Sequence, residues 1–161
     1  MMEPYEPHRA RVSRAAAQDD PRLIRRAFVD LMLTSKPAQL SPIQRVAYQA
    51  FWYDSAIRNG GHARYLTAQP QDLIDQVIAS LELLGADAQA DLLREALERW
   101  KERERPPAGQ TPAYLRGTVP GEGEFLDLDS FYAECQPAIP ELLERYLDEN
   151  LTEFIQYEEE S

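Results

Sequence analysis

Ser41-Pro42-Ile43-Gln44-Arg45-Val46-Ala47-Tyr48-Gln49-Ala50-Phe51-Trp52-Tyr53-Asp54-Ser55-Ala56-Ile57-Arg58-Asn59-Gly60-Gly61 contains a helix start, a helix body and a helix stop in one run. Serine before proline is a start signal, because the hydroxyl can satisfy a free N–H and proline has none to satisfy in the first turn. Ile43, Val46, Ala47, Ala50, Phe51 and Ile57 recur at helical spacing and form the stripe expected to be buried. Asn59-Gly60-Gly61 ends it, since one of the two glycines can take the positive φ that closes a helix without a Cβ clash. We therefore read Asn59, Gly60 and Gly61 as a structural turn.

The same grammar extends in both directions. Upstream, Asp19-Asp20-Pro21 opens a helix with Leu23, Ile24, Ala27, Phe28 and Leu31 on one face. Downstream, a helical turn over 62–68 leads to a third helix after Pro70, with Leu73, Ile74, Val77, Ile78, Leu81 and Leu84 inward and Gly85 as its stop. Asp87 opens a fourth helix through Leu92, Leu93, Ala96, Leu97 and Trp100. Residues 106–123, with four prolines, four glycines and no periodicity, read as a surface loop. A last block begins near 126–134 and continues as one long helix after Pro140, with Leu142, Leu143, Tyr146, Leu147, Leu151 and Phe154 facing the core. No segment alternates convincingly as a strand, and no repeat is present. The expected fold is all-α, a single compact helical domain of about five to seven helices spanning 19–161, preceded by a loose N-terminal leader over 1–18.

Composition narrows the class. A chain of 161 residues with 43% hydrophobic content is a globular domain rather than a disordered chain. The start lacks the apolar stretch of a secretory signal, and no run of about 18 apolar residues occurs, so a cytoplasmic location is expected, with no membrane partner. The single cysteine, Cys135, cannot form an internal disulfide, which agrees with a reducing compartment. The net charge of −11 is uneven: residues 1–64 hold ten Lys/Arg and six Asp/Glu, while 65–161 hold seven and twenty-two. From 121 to 161 thirteen acids face one base, Arg145. Such a surface repels a phosphate backbone, so direct nucleic-acid binding is not expected.

Catalytic chemistry requires a constellation, and none emerges. His8 and His62 lie far apart in sequence, and with Cys135 they fall short of the four ligands of structural zinc, so no metal site is assigned. Cys135 has no nucleophile signature around it. The glycine-rich run 117–124 lacks the Gly-Lys-Ser/Thr ending of a phosphate loop, and Asp127-Leu128-Asp129 lacks the glycine and closing glutamate of a calcium loop. The chain is read as a non-enzyme without a cofactor that binds another protein. Glu141, Glu144, Asp148, Glu149 and Glu153 form the candidate partner-binding acidic face, opposite the apolar stripe of the final helix, although Arg145 can pair with Glu141 and Glu149 across one turn.

The segment 52–66, with its aromatic-rich helix ending at Asn59-Gly60-Gly61, resembles the signature of a bacterial family whose best-known member is a DNA mimic. Leu84-Gly85-Ala86 and Leu128-Asp129-Ser130-Phe131-Tyr132 also match, so the resemblance covers about residues 20–157. Where the family usually has an acid, an aromatic and a glutamine, this chain has Ala56, His62 and Arg64, and no polar site on that turn is carried over. The resemblance implies an all-helical dimer whose acidic surface occupies the DNA-binding face of a basic protein such as a transcriptional regulator. Two alternatives stand beside it: an immunity or antitoxin-like protein masking a basic toxin, and an enzyme with a dispersed carboxylate site.

Overall fold

Ser41 starts its helix as a reciprocal cap. Its hydroxyl accepts from the Gln44 N–H at 3.2 Å, and the Gln44 side-chain oxygen accepts from the Ser41 N–H at 2.8 Å, so two otherwise orphaned donors are satisfied. The computed structural model describes residues 6–104 and 122–158. Along the chain these form β1 (Ala10–Ser13), α1 (Arg14–Asp19), α2 (Arg22–Thr34), a 3-10 turn (Pro37–Gln39), α3 (Pro42–Ala68), α4 (Gln71–Leu84), α5 (Asp87–Glu104), a second 3-10 turn (Glu122–Phe125), α6 (Leu126–Glu134), α7 (Ile139–Glu149), α8 (Leu151–Phe154) and β2 (Ile155–Glu158). This is the expected compact helical domain. The eight α-helices among the described residues exceed the expected five to seven through the short α1 and α8.

The central element is α3, against which α4, α6, α7 and α8 pack, while α5 packs on α4 and α6. Tyr53, Met32, Leu81, Leu93 and Phe154 are fully enclosed in one continuous core. Phe28 meets Phe154 edge-on at 5.1 Å, which fixes α2 against the C-terminal block. Gly85 ends α4 at φ 91, and the Ala86 N–H reaches back to the Leu81 carbonyl at 2.7 Å.

Several expectations are corrected. Ala10–Ser13 is not part of a loose leader but a strand, paired in parallel with Ile155–Glu158 in the register Ala10 to Ile155. Val12 and Ile155 are buried in this two-stranded sheet, which gives both end segments an apolar anchor. The long final helix breaks at Asn150, whose backbone leaves helical geometry (φ −128, ψ 34) while its side-chain amide donates to the Tyr146 carbonyl at 2.9 Å. Ile43, expected inside, is 37% exposed. The loop expected over 106–123 lies outside the described residues, apart from its last two positions.

Candidate functional site

On α7 the outward positions are Glu141, Glu144, Arg145, Asp148 and Glu149, all exposed, while Ile139, Leu142, Leu143 and Leu147 are buried on the opposite side. Residues three and four apart on a helix lie about 5–6 Å apart at Cβ, so these acids make a dense charged stripe. Glu144 pairs with Arg25 of α2 at 3.1 Å. Arg145 does not pair with Glu141 or Glu149; its guanidinium lies over the α4–α5 turn, where a Cβ added to Gly85 would come within 3.4 Å of Nη2. Among the described residues, no basic side chain lies within ion-pair distance of Glu141, Asp148 or Glu149. The acids of α5 differ: Arg94 joins Glu82 and Asp91, Arg99 joins Glu95 and Asp127, and Lys101 approaches Glu98.

Glu153 does not share this stripe. It sits on α8 beyond the Asn150 break, half-buried, where its carboxylate accepts from Ser41 Oγ at 3.4 Å and its carbonyl accepts from Gln44 Nε2 at 2.8 Å. An acid beside the N-terminus of α3 complements that end of the helix dipole, so Glu153 is part of the scaffold.

The Asn59-Gly60-Gly61 turn is a sharp bend within α3, with Gly61 at φ 74 and ψ 178. The helix restarts at once, and Asp129 of α6 caps the restart: its Oδ1 accepts from the His62 backbone N–H at 2.9 Å and from His62 Nδ1 at 2.6 Å. This fixes the tautomer, because Nδ1–H donates to Asp129 and Nε2 accepts from the Tyr53 hydroxyl at 2.8 Å. Tyr132, also on α6, donates to Asp54 Oδ1 at 2.6 Å, and Arg58 Nε donates to both Asp54 oxygens at 3.0 Å. The rings of Tyr65 and Tyr132 pack edge-on to Tyr53 at 5.2 and 5.6 Å.

Burial pushes the Tyr53 and Tyr132 hydroxyls well above the usual phenol range. Their hydrogen bonds, with those of Asp129, clamp the bend, tying α3 on both of its sides to α6. Nothing in the sequence around His62 assigns it a role. In this fold it is fully buried against Tyr53 and Tyr132. Arg64 is exposed beside Gly60, and Cys135 donates weakly to the Phe131 carbonyl at 3.4 Å.

Burial lowers the His62 pKa below the ordinary histidine value, against the opposing pull of Asp129. A depressed histidine is neutral in the folded protein while the unfolded chain takes up a proton, so its stabilising effect is complete above the unfolded pKa of about 6.5 and is lost as pH falls through the folded value. The urea midpoint is therefore expected to fall as pH drops below about 6.5 and to level off once the His62 ring, followed by NMR, has itself titrated at a lower pH. A ring that titrates above that value would contradict the assignment.

Fold and surface define a class: a helical domain with a glycine-bent central helix and an acidic stripe on its last long helix, in which Glu141, Asp148 and Glu149 have no basic partner among the described residues. Within it, the chain belongs to the DMP19-like protein family, whose model matches residues 38–150. The match takes in the bend, its Asp129 cap and the acids of α7, and it ends before Glu153. No curated protein and no solved structure matches the chain. No described helix is long and apolar enough to cross a membrane.

Proposed function

We propose that the protein acts by binding rather than catalysis, as a cytoplasmic DNA mimic in which the α7 stripe occupies the DNA-binding surface of a basic transcriptional regulator, with the domain working as a dimer. The observation that carries this reading is the contrast between α7, where Glu141, Asp148 and Glu149 face outward without a basic partner among the described residues, and α5, whose acids are interleaved with arginines. Unpaired carboxylates at helical spacing offer the dense negative charge that a phosphate-binding surface accepts. Membership of the family supports the same direction.

Asp148 and Glu149 lie in the last turn of α7, which has no basic residue. Acids there oppose the helix dipole by about 0.3–1 kcal/mol, so reversing their charge is expected to leave the domain folded or slightly more stable. The test is a titration of the operator complex of a regulator recovered by pull-down. Wild type is expected to displace the DNA, increasingly poorly as salt screens the contact. The combined variant Glu141→Lys, Asp148→Lys and Glu149→Lys, which leaves the Glu144–Arg25 pair in place, is expected to displace none. Equal displacement by both proteins would rule out this face. A regulator that binds without releasing DNA would rule out mimicry.

A further inference from the structure

On the side of α3 facing α4 and the Pro37–Gln39 turn lies a cavity of about 560 Å³, within the roughly 300–1,000 Å³ range of small-molecule sites. It shares no lining residue with the α7 stripe, so its fate is independent of the mimicry reading. Its walls are mainly apolar and aromatic: Tyr48, Trp52, Tyr65, Ala56, Leu73 and Val77. The rings of Tyr48 and Trp52 stand 6.2 Å apart at 60°. The Trp52 indole N–H is already committed to the Met32 carbonyl at 3.1 Å, so that ring offers only its faces and edges.

Two polar groups on this wall have hydrogen-bonding capacity left among the described residues, the Tyr65 hydroxyl and the two Nη nitrogens of Arg45. Tyr65 is only 6% exposed, yet its hydroxyl has no hydrogen-bond partner among the described residues. Burial holds that hydroxyl protonated, well above the usual phenol range, so it is a standing donor. Arg45 is positioned by a 3.1 Å hydrogen bond from Nε to the Pro37 carbonyl, and among the described residues no carboxylate lies within ion-pair distance of its guanidinium. In a chain with 28 acids and 17 Lys/Arg, the described residues of the lining include no acid, and Arg45 is the one charged residue among them.

Aromatic walls alone would also suit a cation. A guanidinium on the wall, with no carboxylate to offset it, decides against one. We infer that this cavity binds a small carboxylate that carries an aromatic ring, the ring against Tyr48 and Trp52, the acid group on Arg45, with Tyr65 donating to a polar atom of the ligand. A guanidinium donating through its two Nη nitrogens makes charge-assisted hydrogen bonds to a carboxylate that are roughly twice as strong as those to a neutral amide.

Calorimetric titration of the full chain with 4-hydroxyphenylacetate, its amide and tyramine tests this directly. The acid is expected to bind about ten-fold more tightly than the amide, the ratio that a charge-assisted hydrogen bond of about 1.4 kcal/mol provides. Tyramine, the cation of the same ring, is expected to bind most weakly. Arg45→Gln, an exposed change that circular dichroism will show to be folded, is expected to bring acid and amide to the same affinity. Tyr65→Phe is expected to weaken both. No binding of any of the three at millimolar concentration would overturn the proposal. So would equal affinity for acid and amide in wild type, preference for tyramine, or acid binding that survives Arg45→Gln.

Discussion

Gly61→Ala is expected to lower the unfolding free energy by about 3 kcal/mol or more, whereas Gly60→Ala, one residue earlier, is expected to stay within about 1 kcal/mol of wild type. At φ 74 and ψ 178, Gly61 occupies a region that is essentially closed to residues with a Cβ. An added Cβ would also come within 2.5 Å of Asp129 Oδ2, displacing the carboxylate that caps His62. The variant thus combines backbone strain with two orphaned donors, the His62 N–H and Nδ1–H, in a buried place. At Gly60 the added carbon would meet the exposed Arg64 side chain, whose Cδ can swing away and whose Cβ, at 3.1 Å, has to give by only a few tenths of an ångström, and alanine is the better helix former. Urea denaturation of both variants distinguishes the positions, and equal losses would mean that the bend is not where the strain lies.

Gln44→Ala is expected to cost about 3 kcal/mol, or about 6–12 °C in Tm for a chain of this size. The Gln44 side chain is fully buried and carries three bonds: it accepts from Ser41 N–H and donates to the carbonyls of His8 and Glu153. Its removal leaves all three backbone groups without their partner. Gln39 is the internal control, since its side chain accepts from the Lys36 N–H at 2.9 Å on an exposed turn, as the Gln44 side chain does from Ser41, but without a reciprocal side-chain cap. Gln39→Ala is expected to cost less than about 1 kcal/mol. A Gln44 loss no larger than that of Gln39 would show that the ends of the chain do not depend on this amide.

The helices were legible because their signals are local. Ser41-Pro42 and Gln44 specify a cap within four residues, and Gly61 and Gly85 stand where a positive φ is needed. What escaped the sequence depends on partners far along the chain. Ile155-Gln156-Tyr157-Glu158 does alternate, but four residues are too few to stand out after a helix, and nothing local announces that Ala10–Ser13 will lie beside it. The break at Asn150 has no proline or glycine to mark it, so Glu153 was grouped with acids whose helix it does not share. His62 was unreadable for a related reason: its partners Tyr53 and Asp129 come from either side of the bend, and only the packing of α6 on α3 brings them together. The acidic stripe of α7 was visible from its spacing. Its freedom from Arg145 was not, because that guanidinium follows the position of Gly85.

The parallel pairing of β1 with β2 closes the molecule into a ring of contacts, with the first described strand held by the last. Pairing between segments separated by nearly the whole chain must wait until the intervening helices have shortened the distance, because closing so long a loop in an unfolded chain is entropically unfavourable. The clasp is thus expected to form late in folding, and interactions formed after the transition state act on the rate of opening rather than the rate of closing. Weakening it at Val12 or Ile155 is therefore expected to shorten the lifetime of the folded protein while leaving the speed of its assembly nearly unchanged.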